Sequence, residues 1–206
     1  MNRLLLLVMA AVVATACSGA DRVDGPRQLP LVWKPTDDLN VVGAGTHSAG
    51  TPLRVDLFVD RRANSATIGE DARDRPATPL TSADQVAAFV SHGLAQVLPA
   101  SGVAVTEGAA RRVLRGAVKT FFVREDNTYN GEVAAQIQVQ DDAGAVLYDA
   151  VVVGRSKRWG RSASAENYAE TYSNAVVEIA RHLLADPQFR AALGLGPLPI
   201  PTIKPQ

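Results

Sequence analysis

Polar and apolar residues alternate strictly between Glu132 and Gln140, and this pattern limits the fold more than any other feature of the chain. Neighbouring side chains of a β-strand point to opposite faces of a sheet, so the alternation predicts a strand with one buried and one solvated face. Antiparallel sheets often keep one face in water, whereas parallel sheets are covered on both faces. The pattern therefore favours an antiparallel arrangement. The predicted inward residues are Val133, Ala135, Ile137 and Val139, and the outward residues are Glu132, Gln136, Gln138 and Gln140.

Apolar alternation also predicts strands elsewhere in the chain. In the stretch from Leu53 to Asp60, the residues at 53, 55, 57 and 59 share one side. The apolar residues of the stretch from Arg112 to Arg124 change phase halfway, which predicts a β-bulge near Lys119. The remaining predictions are a short strand at 102–106, a strand at 146–154, turns at 127–131 and 141–144, and an irregular segment at 61–80.

Two segments carry apolar residues at helical spacing. Ser82 and Gln85 fit a capping box at the start of the first helix, and Ser164 is the predicted cap of the second. Asp186, followed by a proline, predicts one further short helix. The apolar stripes are Val86, Phe89, Val90, Leu94, Val97 and Leu98 in the first helix, and Tyr168, Tyr172, Val176, Ile179, Leu183 and Leu184 in the second.

These elements predict an α+β fold with two layers, in which two helices pack on one face of a mostly antiparallel sheet of about four to five strands. We expect one domain at 29–194. It is preceded by a signal peptide at 1–16 and by a lipidated cysteine with a flexible tether at 17–28, and it is followed by a proline-rich tail at 195–206.

The leader ends at Cys17, the only cysteine of the chain. A basic start and an apolar run of about 11 residues are typical of a signal peptide and fall short of the roughly 20 residues of a membrane-spanning helix. Residues 14–17 form a lipobox, which predicts cleavage before Cys17 and attachment of acyl chains such as palmitate to it. Two or more acyl chains hold a protein stably at a membrane. The alternative is an ordinary signal peptide with an incidental cysteine.

Charge and cysteine content exclude several classes of function. Lys and Arg number 21, against 21 Asp and Glu, so no basic excess is available to attract nucleic acid. Since no cysteine follows Cys17, neither a disulfide nor a thiolate metal site can form in the mature chain.

No residue pattern points to catalysis, a cofactor or a metal. His47, His92 and His182 lack a metal-ligand spacing, and we interpret them as surface or edge-of-core residues. Asp56 and Asp60 lie on the predicted wet side of one strand. Paired carboxylates can act as acid and base, but a solvated edge is the favoured interpretation. We therefore predict that the protein is not an enzyme.

Two basic segments are candidate partner-binding sites. Asp60, Arg61 and Arg62 either pin the following loop through charge-assisted hydrogen bonds or present arginine to an anionic partner, and the structural role is favoured. The second segment, 154–160, is predicted as a basic turn after a strand, where cations and a tryptophan either contact lipid headgroups or a glycan, or pack over a helix start. Its candidate residues are Arg155, Lys157, Arg158 and Trp159.

A series of weak motifs runs along the chain: the lipobox, Val59-Asp60-Arg61-Arg62, Ile68-Gly69, Leu114-x-Gly116-x-Val118, Tyr129-x-Gly131, Ala143-Gly144, Tyr148, Gly154, Asn167-Tyr168 and Asn174. The order of these motifs resembles the YajG-like family of bacterial lipoproteins. The layout is also similar to that of the auxiliary lipoproteins of envelope ABC-type transporters. The resemblance implies a membrane-anchored, periplasm-facing protein and supplies no catalytic residue. Ser18 after the cysteine fits an outer-membrane position, by similarity to the sorting of lipoproteins in enteric bacteria.

Three functions follow as hypotheses. The first is a non-enzymatic binding or structural component of the envelope, which uses the exposed sheet face or the 154–160 segment. The second is a lipid-handling accessory subunit of a transport system, with an apolar groove lined by residues such as Phe89, Phe121 or Trp159. The third is a hydrolase that uses Asp56 and Asp60, and it is the least favoured. No nucleic-acid partner is expected.

Overall fold

The computed structural model describes residues 25–42, 50–160 and 162–196 of the 206-residue chain. The predicted signal peptide, Cys17 and His47 lie outside the described residues. Eight strands of the described part form one sheet, and three helices accompany it. The elements are β1 (Arg27–Gln28), β2 (Leu53–Val55), β3 (Val59–Asp60), β4 (Gly69–Asp71), β5 (Thr78–Thr81), α1 (Val86–Ala100), β6 (Arg112–Glu125), β7 (Thr128–Asp141), β8 (Val146–Trp159), α2 (Ala165–Ala185) and α3 (Pro187–Ala192).

Three strands of 14 residues each, β6, β7 and β8, form an antiparallel meander at the centre of the fold. The register of β6 and β7 passes from Val118–Ala135 to Thr120–Ala134, so Lys119 has no partner on β7. This confirms the predicted bulge. The first turn is tighter than predicted, because β7 already begins at Thr128, whereas the turn between β7 and β8 lies where the sequence predicts it.

The predicted mostly antiparallel sheet of four to five strands is wrong. The sheet is mixed, because β2, β3 and β4 all lie parallel to β6 along its other edge, and β1 is parallel to β5. The added strands β1, β4 and β5 have only two to four residues, which is too short to show an alternation in sequence. Two of them, β4 and β5, lie in the segment predicted as irregular, and β1 lies in the predicted tether. The predicted strand at 102–106 is reduced to one bridge between Leu53 and Val105.

The stretch from Leu53 to Asp60 does not keep one phase. It divides into β2 and β3, and Phe58 turns into the core with 3% exposure, while Leu57 and Val59 are 60% and 50% exposed. Gly116 on β6 makes the space, because a Cβ atom at that position would lie 2.3 Å from the ring of Phe58. After Val55 the prediction for this stretch is therefore wrong: Phe58 faces the core, and Leu57 and Val59, which were predicted to face inward, face the solvent.

Both helices bury the apolar stripes predicted for them. The predicted capping box is wrong, since α1 has Gln85 at its N-cap without a side-chain bond, and the hydroxyl of Ser82 accepts from the backbone N–H of Asp84. Ser164 is the N-cap of α2, but its side chain makes no capping bond. Asp186 does cap α3, accepting from the N–H of Gln188 at 2.8 Å.

The backbone of α2 lies unusually close to β7 and β8. A Cβ atom on Gly154 would be 1.9 Å from the carbonyl oxygen of Ala175, and one on Gly131 would be 2.6 Å from Cγ2 of Thr171. The helices contact the side of β7 that carries the predicted inward residues, so the glutamines of this strand point away from them. No helix of the described residues is both long and apolar enough to cross a membrane.

Candidate functional site

The most exposed surface built by the sheet is the side opposite α1 and α2, which we call the open face. Apolar and amide side chains from four neighbouring strands lie on it, and Val151 on β8 is 60% exposed. Large exposed apolar side chains at adjacent positions of a sheet are a common mark of an interaction surface. The open face consists of Leu57, Val59, Arg115, Ala117, Glu132, Gln136, Gln138, Asp149, Val151, Arg155, Lys157 and Trp159.

A shallow pocket of about 310 Å³ lies on the open face between the β2–β3 connection and β7. Asp56 lies at its rim and accepts hydrogen bonds from Nε of Arg54 at 2.8 Å and from Nε of Arg115 at 3.2 Å. Burial alone would raise the pKa of Asp56, but the two guanidinium groups outweigh it and lower the pKa. The carboxylate is thus held ionised. Its neighbours in the pocket lining are Leu57, Val59, Gly116, Ala117, Gln136 and Gln138.

Asp149 organises the glutamine row of the open face. Its two carboxylate oxygens accept from Nε2 of Gln136 and of Gln138, each at 2.8 Å. These two hydrogen bonds lower the pKa of Asp149. The amides are therefore held in fixed orientations across β7 and β8, which makes this part of the surface a preorganised one.

The segment from Asp60 to Arg62 has the structural role favoured by the sequence. The guanidinium of Arg62 makes a bidentate pair with Asp60, with contacts of 3.0 and 2.8 Å, and also donates to the carbonyl of Thr67 at 2.8 Å. The hydrogen bond from the Arg62 side chain is the main cause of the lowered pKa of Asp60. Arg62 thereby pins the loop that leads to β4, while Arg61 is exposed.

The second candidate segment is not a turn, because β8 continues through Trp159. Arg155, Lys157 and Trp159 point to the open face, where Nε of Arg155 donates to Glu132 on β7 at 3.0 Å. Arg158 points to the helix side and donates to Asn167 of α2 at 3.0 Å. Trp159 is 79% exposed and does not pack over the helix start. The alternation simply continues through the basic residues.

The two candidate segments lie apart. β3 pairs with β6, and β8 lies two strands beyond β6 in the sheet. At a spacing of about 4.8 Å between strands, β3 and β8 are roughly 14 Å apart. Asp60 also lies opposite the buried Val118, on the side of the sheet that carries the helices, whereas Arg155 lies on the open face, so the two segments do not form one site.

Sequence reasoning missed a buried polar cluster around Glu125, which is fully buried at the end of β6. Its carboxylate accepts from the hydroxyl of Tyr168 at 2.5 Å and lies 3.2 Å from the guanidinium of Arg73. Arg73 in turn pairs with Asp71 at 2.5 Å, and its hydrogen bond is the main reason for the lowered pKa of Asp71. Burial and then the contact with Glu125 raise the pKa of Tyr168, so the phenol stays protonated. No local sequence pattern marks Glu125 or Asp71 as buried, because each has a charged neighbour, Arg124 and Glu70 respectively.

The residues considered for catalysis or metal binding do not converge. Asp56 and Asp60 are each engaged by arginine, and His92 is exposed on α1. His182 on α2 places Nδ1 2.9 Å from the carbonyl oxygen of Val153. In the described part of the chain, no three His, Asp or Glu side chains form a cluster that would hold a metal ion.

The aromatic groove suggested for a lipid-handling subunit does not form from the three residues proposed. Phe89 and Phe121 are buried and contact each other edge to face, with ring centroids 5.7 Å apart. Trp159 lies at the far end of β8 on the opposite side of the sheet. The space between the helices and the sheet is filled at these positions by core packing.

No protein-family model matches the chain, and no curated protein matches it. Solved structures do resemble it. Protein XCC0632 from Xanthomonas campestris, of family DUF330, is 10% identical with a TM-score of 0.54, over 81% of this chain and 96% of that chain. A minor lipoprotein from Acinetobacter baumannii is 9% identical with a TM-score of 0.41, over 71% of this chain and 96% of that chain. At these identities the first likeness shows the fold alone.

Proposed function

We propose that the protein is a non-enzymatic lipoprotein of the bacterial envelope. In this proposal Cys17 carries the acyl chains, and the folded domain faces the periplasm from the outer membrane. The lipobox and the resemblance to YajG-like lipoproteins support the anchor.

The open face is the proposed docking surface for a partner protein of the envelope. The observation that carries the proposal is the exposure of Leu57, Val59 and Val151 on a face that neither helix covers. The charges around them are already paired, as for Arg115 with Asp56 and Arg155 with Glu132. An apolar surface with a satisfied polar rim resembles the composition of protein interfaces and offers little to a small anion.

Site-specific photo-crosslinking in cells tests this proposal. A photoreactive amino acid replaces Val59 on the open face, and the matched control replaces His92, which is exposed on α1 on the other side of the molecule. We expect a crosslinked protein product that forms from position 59 and not from position 92. The same products from both positions would contradict the open face as the docking surface.

A further inference from the structure

The edge of the sheet formed by β8 is long, and His182 of α2 contacts it at the carbonyl of Val153. β8 is the last strand in the sheet order, and within the described residues no strand pairs with its outer side. Exposed edges are usually short or protected by lysine, proline or a bulge. The opposite end of the sheet follows that rule, since β1 has two residues, whereas β8 has fourteen. The one register shift between β7 and β8 leaves Leu147 unpaired near the start of β8, and from Tyr148 to Gly154 the strand contains no lysine, arginine or proline.

The register shows which backbone groups of β8 lie at this edge. The carbonyls of Leu114 and Val118 on β6 accept from Asp56 and Arg61 on the side away from β7. Because an antiparallel strand alternates its bonding direction, the even residues of β7 near its centre bond to β6 and the odd ones to β8. From Tyr148 to Trp159 the register of β7 and β8 pairs odd with even residues, so the odd residues of β8 in this range direct their N–H and C=O groups outwards. The contact of His182 with the carbonyl of Val153 agrees with this direction.

The side chains of β8 around Val152 can pair with those of a second, antiparallel copy of the same strand. Val151 and Val153 lie one residue on either side of Val152, and Asp149 and Arg155 lie three residues on either side. All four flanking residues are odd, so they share the open face and the outward backbone direction. An antiparallel copy with Val152 opposite Val152 therefore places Asp149 against Arg155 twice and valine against valine twice.

We propose that two copies of this chain pair antiparallel through β8, centred on Val152. The odd residues from 149 to 155 then form about eight inter-strand hydrogen bonds, two for each of the four facing pairs. A carbonyl oxygen has two acceptor positions, so Val153 can keep its contact with His182 while it accepts from the second copy. A shift by two residues in either direction keeps the backbone bonds but sets Arg155 against Val151 or Leu147, which selects the centred register.

Charge reversal on the full chain, purified in detergent, tests the pairing. Asp149→Arg alone places arginine against arginine at two points, and Arg155→Asp alone places aspartate against aspartate. Each weakens dimerisation about tenfold to a hundredfold, measured by light scattering after size exclusion. The double variant with both changes restores the facing pairs and the dimer. Its contacts within one chain, Arg155 with Glu132 and Asp149 with two glutamines, are not restored, so recovery is specific to pairing between copies.

Cysteine crosslinking tests the register of the two strands without a measurement of dimer stability. One tagged copy carries Val151→Cys and a second carries Val153→Cys, and oxidation in isolated membranes should join them. The matched control combines Val151→Cys with Lys157→Cys, which the centred register keeps apart. A monomeric wild type, equal crosslinking in the control, or a double variant no better than the single ones would overturn the proposal. Because Val59 lies on β3, loss of this pairing and loss of the open-face partner are separate results.

Discussion

Replacing Gly154 by alanine tests the close contact between α2 and the sheet. The added Cβ atom would lie 1.9 Å from the carbonyl oxygen of Ala175 and 2.9 Å from the backbone nitrogen of Ile179. Both neighbours belong to the helix backbone, which cannot rotate aside as a side chain does. Since Cβ contacts below 3.0 Å are essentially absent from proteins, α2 must retreat by about 1 Å at this point.

The displacement of α2 determines how much stability the protein loses. Val176, Ile179 and Leu183 pack from α2 against the core, and each contributes roughly 1.5–3 kcal/mol by burial. A gap of about 1 Å forfeits about a quarter to a half of the dispersion energy of the affected contacts. Removing a flexible glycine returns about 0.4–1 kcal/mol through the unfolded chain. We therefore expect Gly154→Ala to lower the free energy of unfolding by about 2 kcal/mol.

Urea unfolding followed by far-ultraviolet circular dichroism measures this change, with an unchanged slope as the sign of two-state behaviour. Gly108→Ala is the control, because its nearest atom would be Oγ1 of Thr106 at 3.8 Å, and it should stay within about 0.5 kcal/mol of the wild type. Gly131→Ala should fall between the two, since its closest neighbour is a side-chain methyl group of Thr171. A Gly154→Ala protein as stable as the Gly108→Ala control would refute the close approach of α2.

Three further outcomes are expected. Glu125→Ala removes the acceptor of Tyr168 and the carboxylate next to Arg73, and should lower the free energy of unfolding by about 3 kcal/mol in the same urea assay; a loss below about 1 kcal/mol would contradict the buried cluster. The lowered pKa of Asp71 stabilises the fold above the unfolded pKa of about 4 and stops doing so as pH falls through its folded pKa. Asp71→Asn should therefore reduce the melting temperature at pH 7 and approach the wild type near pH 2, whereas a difference independent of pH would exclude this origin. Cys17→Ser should abolish labelling by radioactive palmitate and release the protein from the membrane fraction, and continued labelling would place the lipid elsewhere.

Local patterns in the sequence were sufficient for the parts of the fold that are regular over many residues. The alternation around Ile137 gave the two faces of β7, and the phase change around Lys119 gave the bulge. The stripe from Tyr168 to Leu184 gave the buried side of α2. In each case the evidence lies within one element, because a strand or helix of more than ten residues repeats its environment several times.

Other features depended on residues far away in the chain. Phe58 points inward because Gly116, on another strand, leaves room for its ring. Gly69 and Asp71 form a strand only because β6 offers them a free edge. The burial of Glu125 depends on Tyr168 and Arg73, and no local pattern distinguishes it from a solvated acid. The position of Trp159, in contrast, could have been predicted from local sequence. The alternation of β8 continues to this residue and favours a strand over the predicted turn.

The parallel strands along β6 also bear on when the sheet can form. Leu53 pairs with Arg112 and Val59 with Ala117. The residues of β2 and β3 are therefore synthesised about sixty positions before the residues of β6 with which they pair. Pairing between distant residues slows folding, because the loop between them must close first. We expect the newly made chain to remain without its central sheet until most of it has been synthesised. Such a delay fits the proposed export of this chain, in which the polypeptide passes through a translocation channel before it folds.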